Sequence, residues 1–186
     1  MSRFRVLDTP IADLKIVERQ QLGDNRGFLS RLFCAEELAA AGWHKPIAQI
    51  NQTFTQTQGT IRGMHFQRPP HAEIKLVTCL RGAVWDVAVD LRAGSPSFLQ
   101  WHAQELSESN CRALLIPEGF AHGFQTLSGA CELLYLHSAL YAPHAEAGLN
   151  PQDPRLGINW PLNIAELSAR DAQHPLLDHQ FKGLTP

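Results

Sequence analysis

The sequence predicts a mainly β protein, a sandwich or barrel of the jelly-roll kind. Strand-like apolar segments recur every ten to fifteen residues through the middle of the chain. Turn signals built from Gly, Pro, Ser and Asn separate them, and no segment has the length and period of a long helix. This rhythm belongs to antiparallel sheets. A parallel α/β sheet would place a helix between successive strands.

Taken in order, residues 1–20 alternate weakly and read as one or two short strands. GDNRGFLSRLF (23–33) is a turn carried by Asp24, Asn25 and Gly27, followed by an extended segment. Glu36 to Ala41 reads as a short helix stopped by Gly42. A strand follows at Gln49 to Thr55, where β-branched and polar residues alternate. Ile74 to Leu80 and residues 83–90 read as strands joined at Arg81-Gly82, where glycine permits a tight hairpin. In 83–90, Trp85, Val87 and Val89 share one face, and Asp86, Ala88 and Asp90 the other. Further strands are expected at 98–106, 111–117, 121–127 and 131–141. The tail is rich in Pro, Gly and Asn. It should wrap the barrel as loops with one or two short helices.

At 186 residues the chain suits a single domain with a sizeable core. The expected division is a jelly roll over about 47–142, an N-terminal arm at 1–33, and loops with short helices at 143–186. The formal net charge is −2, which argues against a general nucleic-acid or membrane-surface binder. No run is apolar enough to span a bilayer, and the N-terminus carries no signal-peptide core. Cys34, Cys79, Cys111 and Cys131 are scattered without CxxC spacing. Reduced thiols in a cytoplasmic protein are the expectation.

The stretch from Gly59 to Leu80 gathers Arg62, His65, Gln67 and Lys75. Arg62 can clamp an oxyanion, His65 can move a proton near neutral pH, and Lys75 can stabilise charge developing on an oxygen. These residue types also serve as solvated charge and as packed histidine. Gln49, Asn51, His122, Tyr135 and Asp171 are polar positions in apolar surroundings, which a barrel could collect in its mouth. Tyr135 also suits a core tyrosine. By spacing alone, Asp171 reads first as the partner of Ser168 in an S-x-x-D capping box. His71, His102, His137, His144, His174 and His179 have no such context and read as surface or packing. No H-x-H pair with a later Glu and His appears in order, so no metal site is expected.

RGMHFQ (62–67), KLV (75–77), VWDVAVDLR (84–92), IPEGFAHGFQTL (116–127), NPQDPRLGINWP (150–161) and LSARD (167–171) resemble the dTDP-4-dehydrorhamnose 3,5-epimerase family. The resemblance runs from about Leu14 to about Leu177. It implies a cupin-like β-jelly-roll that works as a homodimer without metal or other cofactor, on a nucleotide-diphosphate-linked 4-keto-6-deoxy sugar. It implies His65 as base, oriented by Asp171, Tyr135 as acid on the opposite ring face, and Lys75 at the enolate oxygen. Arg62, Gln49 and Asn51 would contact sugar and diphosphate, His122 would line the sugar pocket, and Arg26 would reach the diphosphate from the partner chain. Arg31 stands where many members carry a glutamate near the base. Leu140 precedes Tyr141 where many carry an aromatic pair, which leaves Tyr141 as the ring for the base. Relatives acting at C3 alone or C5 alone keep the same catalytic residues. Other classes consistent with the residues are a silent sugar-nucleotide binding module and a metal-dependent cupin oxygenase.

Overall fold

A computed structural model describes residues 2–185. The chain runs through β1 (Phe4–Asp8), β2 (Lys15–Arg19), β3 (Gln21–Asp24), β4 (Gly27–Ser30), α1 (Ala35–Ala39), β5 (Gln49–Thr55) and β6 (Thr60–Gln67). It continues through β7 (Lys75–Arg81), β8 (Ala83–Asp90), β9 (Trp101–Ser107), β10 (Arg112–Ile116), β11 (Phe120–Thr126) and β12 (Cys131–His137). The tail adds β13 (Glu146–Gly148), β14 (Glu166–Leu167) and α2 (Ala169–Ala172).

Two sheets face each other, as in a jelly roll. One has the order β1-β2-β10-β7-β12-β5, the other β13-β6-β11-β8-β9 with β14 alongside β6. Strands β1 and β2 therefore belong to the barrel, while β3 and β4 pair as a separate hairpin. Apolar residues of both sheets, among them Val77, Leu114, Val84, Phe124 and Leu133, fill the space between them.

Both sheets are also covered outside. Leu38, Trp43 and Phe33, from α1 and its flanks, pack on Leu76, Leu115 and Leu136 of the first sheet. The tail residues Leu149, Leu156, Trp160 and Phe181 pack with Met64, Phe66, Val87 and Val89 of the second. Strands buried on both faces read as continuous apolar runs, which explains their weak alternation. It also orients β8. Its Trp85, Val87 and Val89 face lies under the tail, so the face with Asp86 turns into the barrel.

The structure departs from the sequence reading at several points. Strand β6 was not foreseen. The 98–106 strand begins only at Trp101, and the last long strand stops at His137 rather than 141. The tail contributes two short strands as well as a helix. Arg81-Gly82 is no hairpin: β7 and β8 lie in opposite sheets, and the chain crosses between them there. Glycine is required, because φ is +75° and a Cβ would lie 2.7 Å from Ser128 Oγ.

At the end of β8, fully buried Asp90 accepts hydrogen bonds from Arg92 Nη2 at 2.9 Å, Ser95 Oγ at 2.6 Å and Ser97 Oγ at 2.7 Å. Arg92 also donates to Asp13 at 2.7 Å and lies over the Phe120 ring, so the network ties the β1–β2 turn to the second sheet. Burial opposes the Asp90 charge, but the donors outweigh it and hold the carboxyl below its usual range. Asp90→Asn should therefore lower stability at pH 7 by roughly 3 kcal/mol. A depressed folded-state pKa adds stability above the unfolded value of about 3.9 and loses it as pH falls through the folded value. Urea titrations should show the gap between wild type and variant narrowing below about pH 4. A gap equal at pH 7 and pH 3 would contradict this role.

Candidate active site

A cleft of about 880 Å³ opens between the sheets. Strand β6 supplies Arg62 and His65 to it, β7 supplies Lys75, β11 His122, β12 Tyr135 and His137, β5 Asn51, and α2 Asp171.

The two functional positions of β6 depend on an irregularity. Residues three apart on a regular strand point to opposite faces. Against β11, however, His65 pairs with His122 and Arg62 with Phe124, three steps on β6 against two on β11. The extra residue is a bulge that lets Arg62 and His65 both face the cleft. It needs glycine: Gly63 has φ +120°, and a Cβ there would lie 2.6 Å from the Gly123 Cα. Alternation read from sequence fails at such a bulge, which is why β6 escaped prediction.

His65 Nε2 lies 2.7 Å from Asp171 Oδ1. The Gly63 amide donates to the other carboxylate oxygen at 3.2 Å. Ser168 Oγ accepts from the Asp171 amide at 3.0 Å, so the helix cap foreseen from spacing is half present. The Asp171 side chain itself goes to His65. Burial resists its ionisation, but the hydrogen bond and charge of His65, with the Gly63 amide, hold it below the usual carboxylate range.

Lys75 Nζ is 3.1 Å from Glu73 Oε1, with both side chains buried. Glu73 Oε2 takes His137 Nδ1 at 2.8 Å, and His137 Nε2 lies 3.5 Å from Asn51 Nδ2. Burial works against the Glu73 charge, yet His137 and Lys75 hold its pKa below normal. His122 Nε2 is 2.8 Å from Asp86 Oδ1. Burial pushes the Asp86 carboxyl up against the pull of His122 and Lys75, and its Oδ2 has no partner. The Tyr135 ring lies 5.9 Å from that of His122 and 6.0 Å from that of His137. Burial raises the phenol pKa, so Tyr135 holds its proton at neutral pH.

The remaining expected residues are placed as follows. Arg62 is exposed at the rim, its Nε donating to Thr55 Oγ1 at 3.0 Å. Gln49 Nε2 donates to Asn51 Oδ1 at 3.1 Å, and its Oε1 accepts from the Tyr141 amide at 3.1 Å. Tyr141 donates its hydroxyl to Glu146 at 2.7 Å. Leu140 beside it is exposed. Gln67 is occupied by backbone groups of His71, Leu140 and Ala142, and so shapes a loop. Arg31 pairs with Glu37. Arg26 does not reach the cleft of its own chain. It sits at the hairpin tip, paired with Asp24 and almost fully exposed.

Sequence reasoning passed over Glu73, Asp86 and Glu146, and left His137 and His174 as surface or packing. His137 instead lines the cleft, and His174 has a buried Nε2 beside the His65–Asp171 pair. The signal for Glu73 and Asp86 was an acid within or beside an otherwise apolar strand run.

A base held by a carboxylate, a protonated phenol on the facing sheet and a buried ammonium can remove and return a proton at carbon. That is the work of an epimerase, and known enzymes of that class are similar to this chain over nearly its whole length. The chain belongs to the dTDP-4-dehydrorhamnose 3,5-epimerase family, whose model matches residues 8–179. The dTDP-4-dehydrorhamnose 3,5-epimerase of Salmonella typhimurium is 45% identical over 177 residues, 93% of this chain and 95% of the relative. The dTDP-4-dehydrorhamnose 3-epimerase of Streptomyces niveus is 40% identical over 169 residues, 90% of this chain and 81% of that one. The crystal structure of the Legionella pneumophila dTDP-6-deoxy-D-glucose-3,5-epimerase in complex with dTDP-4-keto-L-rhamnose matches with a TM-score of 0.88 at 40% identity, over 93% of this chain and 92% of that one. The protein is thus an isomerase with a cupin-like jelly-roll fold.

Glu73 lines the cleft and holds two of its residues, Lys75 and His137. Glu73→Gln should leave the fold intact and lower kcat/KM about tenfold to a hundredfold, the loss of about 1.5–3 kcal/mol that a hydrogen bond to a charged group supplies. Unchanged kcat/KM would show that Lys75 needs no such anchor.

Proposed function

We propose that the protein converts dTDP-4-dehydro-6-deoxy-D-glucose to dTDP-4-dehydro-L-rhamnose. The observation that carries this reading is the placement of His65 and Tyr135 on facing sheets of one cleft, with buried Lys75 between the strands that bear them in sequence. A hydrogen beside the C4 ketone is acidic only when the enolate is stabilised. His65 uses the ring nitrogen not engaged by Asp171 to take that proton, and Asp171 balances the imidazolium. Charge develops on the C4 oxygen, where Lys75 meets it, an effect comparable to an oxyanion-hole donor at about 3–4 kcal/mol. Tyr135 returns a proton to the carbon from the other face. Once His65 has lost its proton to solvent and Tyr135 has regained one, repetition at the second carbon completes a 3,5-epimerisation. No electrons leave the sugar, so the reaction calls for no redox cofactor.

His122, Asn51 and Gln49 shape the sugar pocket, Arg62 faces the diphosphate, and Tyr141 offers its ring to the base. A C3-only reaction is the second reading, favoured by the Streptomyces niveus relative, which is named as a 3-epimerase.

A homodimer supplies what the single chain lacks. Strand β5 is an open sheet edge with exposed Ile50 and Phe54, and the β3–β4 hairpin exposes Phe28 and Leu29. An apolar edge of this kind is covered in a stable protein. Exchange of hairpins would carry Arg26 to the partner's diphosphate. Among the described residues no helix is long and apolar enough to cross a membrane, and a cytoplasmic location is our reading.

His65→Ala should abolish turnover with the fold retained, and Tyr135→Phe should lower kcat more than it raises KM. Near-normal turnover of the first, or a pure KM effect in the second, would remove that residue from its role. Mixing unfolded and refolded Arg26→Ala and His65→Ala chains should restore about one intact site in four, since each mixed dimer of a two-fold assembly holds one complete site. No recovery above the sum of the parents would contradict hairpin exchange.

A further inference from the structure

We propose that the cleft also binds a divalent transition-metal cation of the zinc type, held by His65, Asp171 and His174. One donor atom from each of the three lies within 4.8 Å of the others. Zinc holds nitrogen and oxygen donors at 2.0–2.2 Å, which sets tetrahedral donors about 3.4 Å apart. His65 and Asp171 stand 2.7 Å apart, so they part by about 0.7 Å, and His174 closes by at most about 1.4 Å, to complete the set. Two imidazoles and one carboxylate suit zinc and its neighbours, and leave coordination positions open to the cleft.

The fold places His174 there. His174 follows just after α2, which bears Asp171, and its ring centroid lies 6.3 Å from that of His65 on β6. His65 pairs with Gly148 of β13. A Cβ on Gly148 would lie 2.1 Å from His174 Nε2, so this glycine opens the space in which the ring sits. The same Nε2 is buried and has no hydrogen-bond partner among the described residues. A buried imidazole nitrogen left without a partner beside the His65–Asp171 pair suits a metal ligand. Proton transfer in the epimerase uses no group of His174.

Resting on the epimerase reading, the consequence is inhibition. A cation on His65 Nε2 parts the ring from Asp171 and leaves the ring's one proton on Nδ1, the nitrogen that would act as base, so the base is lost while the metal stays.

The test is calorimetric titration of the full-length protein with zinc chloride, in parallel with turnover of the 4-keto sugar. Wild type should bind one zinc per chain and lose turnover, with EDTA restoring it. His174→Gln and His174→Ala should keep wild-type turnover, bind zinc at least tenfold more weakly and need at least tenfold more of it for inhibition. No binding by wild type, or equal affinity in all three proteins, would overturn the site. Binding through His174 with turnover unaffected would overturn the inhibition. Binding through His174 in a protein that epimerises no 4-keto sugar would keep the site and contradict the epimerase reading instead.

Discussion

The hydrogen bond between His65 and Asp171 joins residues 106 positions apart, and the site depends on the path that brings them together. Asp171 arrives on a tail that packs across the outer face of the second sheet, over Met64, Phe66, Val87 and Val89. The apolar cover and the His65–Asp171 pair are thus one structural event. The bulge at Gly63 is the other half. It turns His65 into the cleft and offers the Gly63 amide to the same carboxylate. Loosening of the tail would remove the carboxylate from its base.

The cleft follows one electrostatic pattern. Four cleft side chains have a carboxylate beside them: Asp171 for His65, Asp86 for His122, and Glu73 for Lys75 and His137. Desolvation makes such charges costly alone, so each pair holds both members in place. Tyr135, with no carboxylate bonded to its phenol, keeps its proton by burial. A base poised by a carboxylate and a phenol that stays protonated are the two unlike groups that inversion at carbon needs.

Much of the fold was legible because the strand runs are separated by strong turn chemistry. What escaped has physical causes. Strand β6 carries a bulge, which breaks the period-two signal. Gly82 serves a crossing between sheets, and a glycine at positive φ looks the same in sequence whether the strands it joins pair or not. In β8 the apolar face lies under the tail and the face bearing Asp86 turns inward, because both sides of the sheet are covered. Asp171 shows why spacing alone misleads: Ser168 caps α2 as the motif suggests, but the carboxylate completes a long-range pair that no local pattern encodes. His137 was unreadable for the same reason, since Glu73 and Asn51 reach it from elsewhere in the chain, and His174 because only the fold brings it beside His65. Arg26 lies off its own cleft, paired with Asp24 at the hairpin tip.

The most direct measurement of the central claim is NMR of dTDP-4-dehydro-6-deoxy-D-glucose incubated with the protein in D2O. Deuterium entering both C3 and C5, with inversion at each, is the result expected of a base and an acid on facing sheets. Deuterium at C3 alone would select the single-carbon reaction. No incorporation by the folded protein would contradict proton transfer in this cleft.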